Sequence, residues 1–148
     1  MIYGLLVFMA VMAFVLALWE IQIEGKDGWA ANLPAWRLTK GWPVKLAGGR
    51  PITGYHVLMT IFIIALVHLP LFFVSWSWRL ESLLLGFYVG MVLLEDFLWF
   101  IFNPHYGIKN FRKGKIWWHN RWWGPVPSFY WILLVVTILL IYFGWGAI

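Results

Sequence analysis

Residues 80–102 read LESLLLGFYVGMVLLEDFLWFIF and run straight into Asn103-Pro104-His105. A helix needs about 20 apolar residues to cross the roughly 30 Å hydrocarbon core of a bilayer, and this stretch is long enough. Pro104 has no amide proton and pushes Asn103 out of the helical region, so the helix is expected to end at Phe102. Glu95 and Asp96 stand side by side roughly 9–10 Å inside that end. Ionisable groups within a span are costly and by default mark function.

Three further runs have the same character. Residues 2–23, 55–74 and 129–145 are apolar, interrupted by Glu20 and Gln22 in the first and by His68 and Pro70 in the second. Only Ser75-Trp76-Ser77-Trp78-Arg79 separates the second run from the third, which implies a tight helical hairpin. The connections 24–54 and 103–128 are long. Residues 1–148 are thus expected to form a single domain, an all-α integral membrane protein built as an up-down four-helix transmembrane bundle. Residues 2–23 have no Lys or Arg before Lys26 and no small-residue cleavage site before Glu20, so they read as a retained span rather than a signal peptide.

Composition agrees. The chain has 148 residues, 63% hydrophobic and 11% charged, with 13 Trp; soluble domains carry about 25% charged residues. There is no Cys, which excludes disulfides, thiolate metal sites and cysteine nucleophiles. Ten of the eleven Lys and Arg fall in the two long connections, and Arg79 stands alone on the other side. The positive-inside rule places those loops in the cytoplasm and both termini outside, in the inner or plasma membrane of the cell. The net charge of +5 does not indicate nucleic acid. The cations flank apolar spans, where anionic lipid headgroups attract them, and Trp crowds the same regions as an aromatic belt.

The loops themselves are too aromatic for tethers. Residues 116–123, IWWHNRWW, must lie in the interface or pack over the mouth of the bundle, and residues 29–37 are expected to form a short interfacial turn or helix ended by Pro34. Gly124-Pro125-Val126-Pro127 makes a rigid approach to the last span, with Ser128 as its N-cap. Two ordered aromatic-rich cytoplasmic loops would then cap one face.

That face collects the chemistry. Glu20, Glu95 and Asp96 lie inside spans near it, His56 opens a span beside it, His105 follows the break at Pro104, and His119 sits among the Trp residues. Carboxylates and imidazoles without sulfur suit a divalent metal, Zn, Mn or Fe, and a cation would relieve the repulsion of adjacent acids. Glu95 and Asp96 point about 100° apart on a helix, so at most one is expected to face the centre squarely and the other to be protonated or to pair with Arg121 or a lid Lys. Neither the Glu-x-x-His pairs of di-iron bundles nor a His-Glu-x-x-His zinc motif is present. His68, roughly 18 Å along its helix from His56, is expected to be interhelical glue near the Pro70 kink, with haem ligation as the sharper alternative. Gly86 and Gly90 form a small-xxx-small pattern for close helix packing, within the bundle or to another subunit.

The leading expectation is a small membrane protein with a metal-binding vestibule, acting as a metalloenzyme on a lipid-like substrate whose anionic headgroup Arg112, Lys113 and Arg121 would hold. The alternatives are a small proton- or cation-coupled transporter using Glu95 and Asp96, and a non-catalytic accessory subunit. Partners are membrane lipids and a homo-oligomer or larger membrane complex.

Overall fold

The computed structural model describes residues 2–146, which are mostly helical. The helices are α1 (Ile2–Glu24), a short α2 (Trp42–Leu46), α3 (Gly54–Val67), α4 (Trp78–Phe102) and α5 (Ser128–Gly144). Two-residue strands pin each long connection: β1 (Arg37–Leu38) pairs antiparallel with β2 (Ile52–Thr53), and β3 (Trp122–Trp123) with β4 (Val126–Pro127). Helices α1 and α4, of 23 and 25 residues, are long and apolar enough to cross a membrane; α3 and α5 are apolar but shorter.

Helix α4 is the spine, packed along α5 and α1 and more lightly against α3. Cross-helix pairs fix the directions. Gly144 of α5 meets Leu83 near the start of α4, and Tyr130 meets Asp96 near its end, so the two run antiparallel. Met9 lies against Gly90 and Asn103 bonds Gly25, so α1 runs with α4. Helix α3 runs against both, joining Glu24 through His56 and Glu81 through His68. The four long helices therefore alternate in direction.

Local chemistry sets the ends. Ser77 Oγ accepts the amide of Leu80 at 3.1 Å and caps α4. Thr53 Oγ1 accepts the amide of His56 at 3.3 Å and caps α3. Helix α3 stops at Val67, seven residues short of the expected end at Val74. Pro70 cannot donate to the carbonyl of Leu66, and the chain tightens into a 3-10 turn, Leu69–Phe72. His68 lies at this break, its Nε2 3.1 Å from Glu81 Oε1 and its Nδ1 2.7 Å from the Ile64 carbonyl. It ties α3 to α4 as expected of interhelical glue. Ser128 does not cap α5: it is the first helical residue, and Pro127 occupies the cap without a side-chain bond. Residues 29–33 form turns and a bend rather than a helix, and Arg37 enters β1.

Buried small residues let the helices approach. Ala13 and Ala17 of α1 are completely covered, Ala13 beside Leu16, Phe87 and Met91 and Ala17 in the cluster of Ile21, Trp99 and Phe100. Gly86 and Gly90 serve packing inside the chain: a Cβ on Gly86 would lie 2.9 Å from Ile141 Cγ1 and 3.0 Å from its backbone nitrogen. Gly86→Ala is expected to lower stability by about 1–3 kcal/mol through overpacking. Gly4→Ala, with nothing within 4 Å of the new carbon, should leave stability unchanged or raise it by up to about 1 kcal/mol. Thermal unfolding of both variants in detergent checks the contrast.

Candidate metal centre

Helices α1, α3 and α4 converge at one end of the bundle on a cavity of about 240 Å3, which Glu20, Glu24, Arg50, His56, Glu95 and Asp96 supply with polar groups. Glu20 and Glu24 are one turn apart on α1, so both project from one face. Glu24 ends the helix, and the chain then turns back so that the amides of Trp29 and Ala30 donate to its two carboxylate oxygens at 3.0 and 2.5 Å. Both residues adopt left-handed backbone, with φ of 49° and 50°, a conformation that costs non-glycine residues about 1–3 kcal/mol each. The carboxylate bonds offset that cost, and Arg37 fixes the same turn by donating to the carbonyls of Ala30, Ala31 and Leu33.

His56, at the start of α3, is held on three sides. Its Nδ1 lies 2.6 Å from Thr53 Oγ1, Nε2 lies 3.3 Å from Glu24 Oε1, and the ring stacks on Trp29 at 4.2 Å between centroids. Thr53 orients the ring through Nδ1 and leaves Nε2 directed at the carboxylates, the arrangement that outer-shell partners impose on ligating imidazoles. One potential ligand atom from each of Glu20, Glu24 and His56 lies within 4.8 Å of the others. Ligand oxygens and nitrogens about 2.0–2.2 Å from a common ion stand no more than about 4.4 Å apart, so these side chains would close in slightly around one.

Glu95 and Asp96 both line the cavity, because their divergent directions aim at different neighbours. Glu95 lies against Glu20. Asp96 turns toward α5 and the aromatic loop, accepting a hydrogen bond from the Tyr130 hydroxyl and lying 3.4 Å from His119 Nε2. Arg50, rather than Arg121 or a lid Lys, is the cation beside these acids. Its guanidinium stands 4.3 Å from the ring centre of Trp29 and 5.2 Å from that of Phe129. Burial pulls the Arg50 pKa below its ordinary value, and the charge of Asp96 acts in the opposite direction; at its high intrinsic pKa the group remains charged.

Several polar atoms here have no hydrogen-bond partner among the described residues: Glu20 Oε1, Glu95 Oε1 and both ring nitrogens of His119 are fully covered and unpaired. Glu20, Glu95 and His119 are 6%, 7% and 4% exposed. Buried polar atoms are nearly always paired, so the orphaned oxygens of Glu20 and Glu95, which line one cavity, call for a ligand, a water or an ion.

Of the six residues expected to converge, Glu20, His56, Glu95 and Asp96 line the cavity, and His119 is buried beside Asp96 but outside the lining. His105 is not among them: it is exposed and outside the cavity lining, because the turn after Pro104 carries it outward while its amide donates to Asn103 Oδ1 at 3.0 Å. Arg112, Lys113 and Arg121 are exposed on the loop surface. The sequence reading missed Glu24, assigned to a loop although its four-residue spacing from Glu20 signals a shared helix face, and Arg50, counted only as a surface cation. The aromatic loop does close the end: Ile116 and Trp118 are buried with Trp99 and Phe100, and Gly28 is a glycine because a Cβ there would sit 2.5 Å from Trp118 Cη2.

Compared with known proteins, the chain matches no family, no curated protein and no solved structure.

Asn103 joins the two helix ends that carry the acids. It is 1% exposed, its Nδ2 donates to the Gly25 carbonyl at 2.8 Å, and its Oδ1 accepts the amides of His105 and Tyr106. Asn103→Ala leaves buried groups unpaired, at about 1–3 kcal/mol. Its expected effect is lower thermal stability together with faster amide exchange in residues 24–30, read by hydrogen–deuterium exchange mass spectrometry.

Proposed function

We propose that the protein is an integral membrane protein, a four-helix transmembrane bundle holding a divalent metal at its cytoplasmic end, with Glu20, Glu24 and His56 as ligands. The observation that carries this reading is the mutual approach of those three ligand atoms to within 4.8 Å in a cavity that also holds the buried Glu95 and the half-buried Asp96. Zn, Mn and Fe suit such oxygen and nitrogen donors.

The distribution of polarity supports the membrane. Carboxylates are inside, while the outward faces of all four long helices carry large exposed apolar side chains, among them Val11, Val15, Phe62, Phe102 and Leu139. Helix α3 and the 3-10 turn after it together supply the length of the second span. Orientation follows the ten cations of the two long loops, among which Arg112, Lys113 and Arg121 attract anionic headgroups by about 1 kcal/mol each.

The metal would serve to activate water or oxygen toward a lipid-like substrate. An apolar cleft of about 510 Å3 supports that substrate class; Phe8, Met12, Phe62, Leu66 and Met91 line it, and it shares Leu16 and Ile63 with the polar cavity. The shared walls set the cleft beside the polar cavity.

Elemental analysis of detergent-purified protein tests the reading. The parent is expected to retain about stoichiometric metal, and His56→Ala and Glu20→Gln to lose most of it. Affinity should fall toward acid pH, since binding displaces protons from the ligands. The Glu20–Glu95 contact favours one rival, proton coupling through a carboxyl pair. A metal-free parent with proton flux in liposomes, abolished by Glu95→Gln, would replace the metal reading with that one.

A further inference from the structure

We infer that His68 and Glu81 form a proton-dependent latch at the outer end of α3, closed while one proton sits between them, and that loss of this proton opens the apolar cleft beside α3 to the acyl chains of bilayer lipid. The inference rests on the membrane placement above and is independent of the metal.

The neighbours of the pair set its chemistry. His68 Nδ1 lies 2.7 Å from the Ile64 carbonyl oxygen. A carbonyl oxygen only accepts, so Nδ1 carries a proton. Nε2 lies 3.1 Å from Glu81 Oε1. With a neutral imidazole and an ionised carboxylate, two lone pairs would face each other at that distance. A second proton therefore occupies the Nε2–Oε1 contact, and it belongs to the pair rather than to either residue. Glu81 Oε2 accepts Trp76 Nε1 at 3.1 Å, which keeps the carboxylate in place.

Among the described residues no other charged or titratable side chain acts on His68. Arg79 reaches toward Gly146, past the end of α5. Helix α1 has no ionisable residue between Tyr3 and Glu20, and α5 has only Tyr142 at this end. As pH rises through the titration of the pair the shared proton leaves and the closed state loses that bond; as pH falls the bond returns.

Little else holds α3 there. Gly54 is its only buried residue, and its polar ties to α1 and α4 stand at its two ends, His56 with Glu24 and His68 with Glu81. Between those ends lies the apolar cleft of about 510 Å3, with Leu66, Val67 and Pro70 on the α3 side and Leu80, Leu83 and Leu84 on the α4 side. These residues flank His68 and Glu81 in sequence, so the latch stands at the outer end of the cleft. Pro70 has no amide proton to bond the Leu66 carbonyl, so this end can swing without breaking a helical bond at that position.

The chain has no Cys, so spin labels on a Phe72→Cys, Tyr142→Cys pair, both exposed sites at this end, report the latch in the full-length protein in phosphatidylcholine liposomes. Distances by pulsed electron resonance are compared at about pH 5 and about pH 9, on either side of the imidazole range. The parent is expected to gain a longer, reversible distance component at the higher pH. Glu81→Gln is expected to stay closed at both, because its amide donates to Nε2 and does not titrate; His68→Phe is expected to show the longer component at both. A diazirine-bearing phosphatidylcholine in the same liposomes should label Met12 and Met91 of the cleft several-fold more at the higher pH in the parent and equally at both in Glu81→Gln. Distances in the parent that ignore pH, or a shift that persists in Glu81→Gln, overturn the latch. A shift in distance without a gain in labelling overturns the opening of the cleft. Leu139, on the outward face of α5, should be labelled at both pH values, and its failure to label overturns the membrane placement instead. The parent and Glu81→Gln decide the question should His68→Phe fail to fold.

Discussion

Carboxylates that share a buried cavity repel one another, and the ends of the helices and loops around this site are arranged in ways that answer that repulsion. Two unit charges about 4 Å apart interact by about 4 kcal/mol at an effective dielectric constant of about 20, and taking a carboxylate out of water adds a further cost unless it is paired. Each acid here has a specific answer. Glu24 receives two amides from a strained turn, Asp96 receives the Tyr130 hydroxyl and faces Arg50 and His119, and Glu20 and Glu95 are left to each other. The first two are satisfied by the protein. The last two are the groups whose stability depends on something added, a proton or a metal ion.

The fold serves that cluster by holding three helix ends in register. Asn103 ties the end of α4 to the end of α1, Thr53 caps α3 and orients His56 with the same hydroxyl, and Trp118 fills the space against Trp99 and Phe100. At the opposite end the His68–Glu81 pair and the close approach of Gly86, Gly90 and Gly144 to their neighbours align α3 and α5 on α4. The polar pairs and close glycine contacts thus lie at the ends and along the α4 interfaces, while the outward faces remain apolar.

Much of this was legible from residue order. The run 80–102 identified α4 to within two residues, and Pro104 stopped it where a missing amide proton requires. Glu20, His56, Glu95 and Asp96 line one cavity because the lengths of the apolar helices and the positions of the acids along them bring these residues to one level. What depth does not fix is direction beyond a helix end. His105 turns outward and Glu24 turns inward, since each lies where the chain leaves its helix and the next turn decides. Arg50 was equally hidden: residues 25–49 lie between it and the end of α1 at Glu24, and nothing local distinguishes a cation that folds back under Trp29 from one that stays in solvent. The left-handed residues Trp29 and Ala30 carry no glycine signal, because the Glu24 carboxylate creates the conformation from a distance.

The dependence of stability on metal tests the central claim most directly. Protein stripped with chelator and then reloaded with Mn2+ or Zn2+ at about 100 times its dissociation constant should gain about 2.7 kcal/mol for a single site. The gain would appear as a higher unfolding temperature in the parent and be absent from Glu20→Gln. Identical unfolding temperatures for stripped and reloaded parent protein, across the same range of metal concentration, would contradict it and leave Glu20 and Glu95 as a proton-sharing pair.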